Sequence, residues 1–183
     1  MPRHWDHHYS DPASLDFTPT PLLVEVADMV PPGRALDIAC GHGRNAVYLA
    51  SLGWRVTAVD SSAVAIRLLR ARSSGLGVDP RVADLEAGEF RIAPDSYDLI
   101  CDFFYLQRDL FPQIREGVRA GGLFAGAIHL LDEASAAGRR NPAFQLKPGE
   151  LRDEFAEWKI LFYSEGLEPG RTRTAARIIA RRA

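Results

Sequence analysis

Arg34-Ala35-Leu36-Asp37-Ile38-Ala39-Cys40-Gly41-His42-Gly43-Arg44-Asn45-Ala46-Val47-Tyr48-Leu49-Ala50 is the stretch on which the reading of this chain turns. A short apolar run leads into a loop with two glycines, and the pattern then changes to one that suits a helix. Strand, tight turn and helix in that order form a small-molecule cradle. Gly41 and Gly43 let the backbone bend and let a ligand lie against it, and the helix N-terminus beyond offers unpaired N–H donors.

Working outward, the stretch sits in an alternation of helix and strand. Leu22 to Val30 has the apolar spacing of an amphipathic helix, stopped by Pro31-Pro32-Gly33. After the loop helix, Trp54 to Asp60 reads as a second strand, and Ser61 and Ser62 are good N-caps for a helix containing Ile66 and Leu69. A short strand, Arg81 to Asp84, comes next. Tyr97 to Phe104 is near-continuously apolar, as a strand covered on both faces is, and a helix from Asp109 to Ala120 leads to a fifth strand, Leu123 to Leu130. Lys159 to Tyr163 and Ala175 to Ala180 are joined by a connection too short for a crossover helix, so they pair as an antiparallel hairpin at one sheet edge. The expected fold is α/β and doubly wound: a Rossmann-like, mostly parallel seven-stranded sheet with an antiparallel C-terminal hairpin and helices on both faces.

At 183 residues the chain fits one domain spanning 1–183, with residues 1–30 as an N-terminal segment and helix readable as a lid. A formal net charge of -2 and a pI near 6.2 give no electrostatic reason to expect nucleic acid or an anionic membrane as partner. Cys40 and Cys101 are too few for a disulfide framework, no apolar run is long enough to span a bilayer, and the polar start is no signal peptide. The expected setting is the cytoplasm. His4-Trp5-Asp6-His7-His8-Tyr9 is histidine-rich without regular ligand spacing, and reads as a terminal segment packing its aromatics on the domain, with no metal expected.

Ligands of doubly wound sheets bind at the carboxyl ends of the strands, and here those ends are acidic. Asp37 lies late in the first strand, Asp60 ends the second, Asp84 ends the third and Asp102 lies late in the fourth. Any one of them reads equally as a helix cap; beside the glycine loop, Asp60 reads as the carboxylate that accepts two hydrogen bonds from a ribose diol. Gly41-x-Gly43-x-x-Ala46 also satisfies the dinucleotide fingerprint, so an NAD-dependent oxidoreductase stands as a rival. Against it count the segment ahead of the first strand, Asp37 just before the glycines, and the lack of a second domain for a dehydrogenase substrate.

At these residues the chain resembles a class I S-adenosylmethionine-dependent methyltransferase. Asp37 to Ala46 resembles that superfamily's first motif in the version found in small TehB-like, tellurite-resistance-type enzymes. Ala58-Val59-Asp60-Ser61-Ser62, Ala83-Asp84-Leu85, Tyr97-Asp98-Leu99-Ile100, Gly121-Gly122-Leu123 and Arg140-Asn141-Pro142-Ala143-Phe144 match as well. The resemblance implies S-adenosylmethionine as cofactor, with Gly41 and Gly43 approaching its methionine portion and Asp37 holding its amino group. Asp60 would hold the ribose hydroxyls, and Asp84 with the Leu85 N–H would meet the adenine edge. Ala39, Asn45, Ser61 and Asp102 complete the implied cofactor set. The implied partner is a small-molecule methyl acceptor, a thiol or chalcogen oxyanion, and the implied assembly a monomer or homodimer. A non-catalytic cofactor-binding protein that kept the fold is the third reading.

Methyl transfer from a sulfonium is an in-line displacement, so the protein must align a nucleophile and shield the site. A soft anionic acceptor needs no strong base, whereas a hydroxyl or amine needs one, most often His. Asp102, Phe103, Tyr105, Arg108 and His129 stand near the ends of strands four and five, and Arg139, Arg140 and Asn141 lie in a polar loop able to reach over the pocket toward an anionic acceptor. Asp102, Tyr105, His129 and Arg140 are the catalytic candidates. The C-terminal arginines, Arg171, Arg173, Arg177, Arg181 and Arg182, read as a charged strand edge that discourages aggregation.

Overall fold

The computed structural model describes residues 2–11, 15–132, 138, 141–167 and 172–183. In chain order the elements are α1 (Pro2–His8), α2 (Pro21–Ala27), β1 (Arg34–Ile38), α3 (Arg44–Ser51), β2 (Arg55–Asp60), α4 (Ala63–Arg72) and β3 (Val78–Val82). They continue with β4 (Tyr97–Phe103), α5 (Leu110–Gly117), β5 (Val118–His129), a 3-10 turn (Pro142–Phe144), α6 (Glu150–Glu154), β6 (Lys159–Leu167) and β7 (Thr174–Arg181). Among the described residues the strands form one seven-stranded sheet in the order β3-β2-β1-β4-β5-β7-β6. All neighbours up to β5 are parallel, and β7 is antiparallel to both β5 and β6, so β7 is the one reversed strand.

The order reverses at β1, which has β2 on one side and β4 on the other, and this is where a crevice opens at the strands' carboxyl ends. Two cores lie on the two faces of the sheet. Leu23, Val26, Leu49, Ile66 and Leu69 bring α2, α3 and α4 onto one face; Leu110, Phe111, Ile114, Leu151 and Phe155 bring α5 and α6 onto the other. Leu36, Ile100 and Phe124 are wholly buried, which explains the apolar runs of β1, β4 and β5.

Three element readings need correction. β3 starts at Val78 and ends at Val82, leaving Asp84 two residues past the strand. Pro80 lies within it, which the sheet tolerates because β3 is an edge strand. α5 ends at Gly117 and β5 begins at Val118, ahead of the glycine pair, because a Cβ at Gly117 would overlap Ile92 and the chain is already extended there. The C-terminal arginines do not fence an edge: β7 is internal, and β6 is the edge. Arg177 bonds Ser164 at 2.9 Å, and Arg182 reaches the Glu116 and Val118 carbonyls and Asp95, tying β7 to the end of α5. Arg171 lies outside the described residues.

Candidate active site

The glycine loop is built by left-handed or near left-handed residues at every second position: Ala39 at φ 49°, Gly41 at φ 55° and Gly43 at φ 79°. Gly43 is the N-cap of α3, and a side chain there would run into Leu69 of α4, so the glycine lets two helices close together as well as turning the chain. Gly41 needs its missing side chain for another reason. A Cβ there would come within 2.5 Å of the Tyr9 hydroxyl, which α1 lays over the loop. The Gly41 N–H points away from this contact and donates to Asp60 Oδ2 at 2.8 Å, while Asp60 Oδ1 accepts from the Ser62 N–H at 2.8 Å. Asp60 therefore fastens the loop to the start of α4; burial pushes its carboxyl above the ordinary range, against the pull of those two amides.

A cavity of about 740 Å³ opens over this loop. Asp37, Ala39, Gly41, Asn45, Asp60, Ser61, Asp84 and Leu85 all line it; Gly43 stands behind as the helix cap. Asp37 is 1% exposed, and its Oδ2 has no hydrogen-bond partner. Burial raises its carboxyl to about 7, against the nearby Arg44 guanidinium, with the Asp60 carboxylate adding a smaller push upward. Asp84 Oδ1 accepts from the Glu86 and Ala87 amides at 3.0 and 3.2 Å and shapes its own loop. Asn45 Oδ1 accepts from the Thr20 N–H at 2.9 Å, so it holds the start of α2 against the cradle.

The far end of the cavity follows β4. Phe103, Phe104, Tyr105 and Leu106 line it, and the Tyr105 hydroxyl donates to Gln107 Oε1 at 2.7 Å, whose amide donates in turn to the Leu85 carbonyl at 3.2 Å. Three other readings change. Asp102 is 2% exposed and stands beneath the cavity floor in register with Ile38, its carboxyl driven well up by burial, and it is not among the lining residues. His129 packs against Phe104, its ring tilted by 31° with centres 4.9 Å apart, and is not among the lining residues. Arg108 pairs with Glu150 and donates to the Ala143 and Gln145 carbonyls at 3.0 Å each, clamping the segment that carries Phe144 instead of reaching the cavity. Arg139 and Arg140 lie outside the described residues; Asn141 caps the 3-10 turn through Ala143. The Cys40 thiol is buried and pushed up by burial, which fits a packing residue and not a nucleophile.

The N-terminal segment contributes more than its sequence revealed. Asp6 accepts from the Ser62 hydroxyl at 2.6 Å and the Val64 N–H at 3.3 Å, doubling the cap on α4. His42 is its anchor: Nε2 lies 2.9 Å from the Asp16 carbonyl, its ring meets Tyr9 and Phe17, and Arg72 covers Phe17 at 4.1 Å. Arg44 bonds the Asp16 carboxylate at 3.1 Å. Trp5, His8, Tyr9 and Leu15 consequently form a wall of the cavity. The only sequence signals were a histidine between the glycines and aromatics near the N-terminus. Among the described residues, no group of three or more His, Cys, Asp or Glu side chains is placed to hold a metal ion, and no helix is long and apolar enough to cross a membrane.

Known proteins share this architecture. The crystal structure of TehB from Haemophilus influenzae superposes with a TM-score of 0.72 at 22% identity, over 88% of this chain and 61% of that one. A structure reported for the conversion of a disulfide bond into a thioacetal group during echinomycin biosynthesis superposes at 0.70, with 25% identity over 100% of this chain and 93% of that one. Among curated relatives, a probable S-adenosyl-L-methionine-dependent methyltransferase TehB of H. influenzae is 26% identical over 153 residues, which is 79% of this chain and 52% of the relative. Hemagglutinin 1 of Eikenella corrodens is 32% identical over 152 residues, 78% of this chain and 49% of that protein. The chain thus spans about half the length of the curated relatives it matches. The family model described as tellurite resistance protein TehB matches residues 6–178, from the Asp6 cap on α4 into β7, and the chain belongs to that family.

Proposed function

We propose that this protein is an S-adenosylmethionine-dependent methyltransferase acting on a small-molecule acceptor with a soft nucleophile, a thiol or a chalcogen oxyanion. The observation that carries the cofactor assignment is Asp37. A buried carboxylate oxygen without a partner, opening on the glycine loop, calls for a cationic donor, and the ammonium of an amino-acid tail supplies one. A dinucleotide would bring its pyrophosphate to the same loop, against Asp37 and Asp60. The acidic wall continues with Asp84 and Glu86, which suits a cofactor bearing a sulfonium and an ammonium.

In this reading Asp37 takes the ammonium, and its titration supports the role: the incoming cation stabilises the charged form that burial disfavours. Asp60 keeps its two amide bonds and accepts from the ribose hydroxyls with its remaining lone pairs. Asp84, whose Oδ1 is occupied by its own loop, turns toward the adenine edge together with the Leu85 amide. Tyr9 closes the methionine end from above, and the segment before α2 excludes water. S-adenosylmethionine, when bound, supplies an electrophilic methyl group on a positive sulfur that leaves as a neutral thioether.

A soft acceptor is favoured because, of Asp102, Tyr105 and His129, only Tyr105 lines the cavity, and its hydroxyl is hydrogen-bonded. Tyr105 donates to Gln107, Asp102 lies beneath the floor and His129 packs against Phe104. The relatives named for TehB and for a sulfur conversion support the same class. Thermal shift tests the cofactor: S-adenosylhomocysteine raises the melting temperature and NADH does not. The reverse result refutes the assignment. Turnover is then tested on thiols, selenite, tellurite and small amines; cofactor binding with no turnover on any of them favours a non-catalytic binding protein.

A further inference from the structure

The cavity is lined by more than the groups assigned to the cofactor. Beyond the row of Asp37, Asp60 and Asp84 its walls are Trp5 of α1, Phe104 and Tyr105 after β4, and Phe144 of the 3-10 turn. Trp5 is 50% exposed and Phe144 54%, although both line the same cavity. One exposed aromatic on a surface needs no explanation, but two from distant parts of the chain meeting at one cavity do. Their positions are also held. Arg108 fixes the turn that presents Phe144 through Glu150 and the Ala143 and Gln145 carbonyls, and Asp6 fixes α1 through Ser62 and Val64.

Phe104 adds a second, independent sign. It adopts φ 68°, a region bulky residues rarely enter, with its N–H bonded to the Ala127 carbonyl at 2.7 Å and its ring backed by His129. Backbone strain at that point puts an aromatic face on the cavity wall at the carboxyl end of β4, where a substrate of a doubly wound sheet sits. The same cavity presents the carboxylates of Asp37, Asp60, Asp84 and Glu86, against a single guanidinium among the described lining residues, that of Arg44. An anionic oxyanion must approach those carboxylates in charged form. An aryl thiolate carries one charge on an apolar body, and resting that body on the rings offsets the repulsion.

We propose that the methyl acceptor is a thiol carried on an apolar, aromatic body, with Trp5 and Phe144 as its specificity-determining contacts; the inference rests on the methyltransferase reading above. The thiol releases its proton to water, which an aromatic thiol does more readily than an alkyl one, so no protein base is required. The sulfur lone pair then forms the new bond to the methyl carbon, while the bond from that carbon to the sulfonium breaks and leaves its electrons on the departing thioether.

Calorimetry on the full chain saturated with S-adenosylhomocysteine tests this without turnover, using benzenethiol and selenite as probes. Benzenethiol binds, and Trp5→Ala and Phe144→Ala each weaken it about tenfold, the equivalent of about 1.4 kcal/mol of lost burial. Trp5→Phe restores most of the affinity, and each variant keeps a cofactor-induced thermal shift, which shows a folded protein. Selenite bound more tightly than benzenethiol, or benzenethiol binding unmoved by both alanine variants, overturns the acceptor assignment. Absence of any S-adenosylhomocysteine shift in the unmodified chain overturns the methyltransferase reading itself, a result separate from the other two.

Discussion

Replacing Asp37 with Asn is predicted to stabilise the ligand-free protein at pH 8 while destroying its cofactor site. Burial lifts the Asp37 carboxyl from its ordinary value of 3.8 to about 7. The sign follows from proton counting. Between about pH 4 and pH 7 the folded chain holds a proton at Asp37 that the unfolded chain has lost, so stability falls as pH rises through this window, and is flat above it. A shift of about three units corresponds to about 4 kcal/mol, an upper figure because solvent entry and side-chain relaxation relieve part of it. Asn has nearly the same shape and no charge to bury. At pH 8 it should recover about 1–4 kcal/mol, which for a domain of this size is roughly 2–4 °C in Tm per kcal/mol. At pH 4 most of the gain should vanish, since Asp37 is then neutral in the folded chain and only partly ionised in the unfolded one. The assay is a set of eight melting curves, both proteins at both pH values, each with and without S-adenosylhomocysteine. In the unmodified protein the ligand should also bind about tenfold more weakly per pH unit below 7, as the carboxylate it requires becomes protonated. A variant that melts lower than the original at pH 8, or gains equally at both pH values, refutes the argument that Asp37 is a charge held ready for a cation.

Other outcomes follow from neighbouring contacts. Gly41→Ala should cost about 1–3 kcal/mol through its positive φ and the clash with Tyr9, and the cost should shrink in a Tyr9→Ala background, measured as a double-mutant cycle by denaturant unfolding. Asp60→Ala should abolish the thermal shift from S-adenosylhomocysteine, because it removes both the ribose acceptor and the tie to the Gly41 amide; an unchanged shift removes Asp60 from the site. Arg108→Ala should leave cofactor affinity alone yet make the 141–150 segment more sensitive to limited proteolysis, since four hydrogen bonds from the guanidinium hold it. His8→Ala should leave kcat with an aromatic thiol and its pH profile in place; loss of a pH limb would make His8 the base of a harder acceptor.

The fold was legible because its signals were local. Two glycines after an apolar run, Ser62 ahead of α4 and a short link between the last two strands each determine their own neighbourhood, and parallel order follows from the alternation. Where the reading slipped, a longer-range fact prevailed. Pro80 resembles a turn residue until β3 is known to be an edge, and Arg177 resembles an edge residue until β7 is known to lie between β5 and β6. The site shows the same division. Asp37, Asp60 and Asp84 could be found because strand ends can be read, whereas Arg108 and His129 stood at the right distance along the chain and point into other contacts.

His42 shows why the cover over the loop could not be read. Between two glycines it resembles a ligand contact, and its ring does face the cavity, but its bonds run to Asp16, Phe17 and Tyr9. It is a post for a segment that comes earlier in the chain. The loop therefore carries two sets of instructions: Gly41, Asp37 and Asp60 line the cavity, while His42, Arg44 and Asn45 each hold part of residues 16–20 beside it. Because Trp5 and Tyr9 sit on that same cover, the wall assigned to the acceptor and the lid over the methionine end belong to one piece of chain. A cofactor under Tyr9 and an acceptor against Trp5 would press on the same piece, so the cofactor should bind first and strengthen acceptor binding. Calorimetry checks the order directly: benzenethiol should bind at least tenfold more weakly to the ligand-free protein than to the S-adenosylhomocysteine complex, and equal affinity for the two forms refutes the coupling.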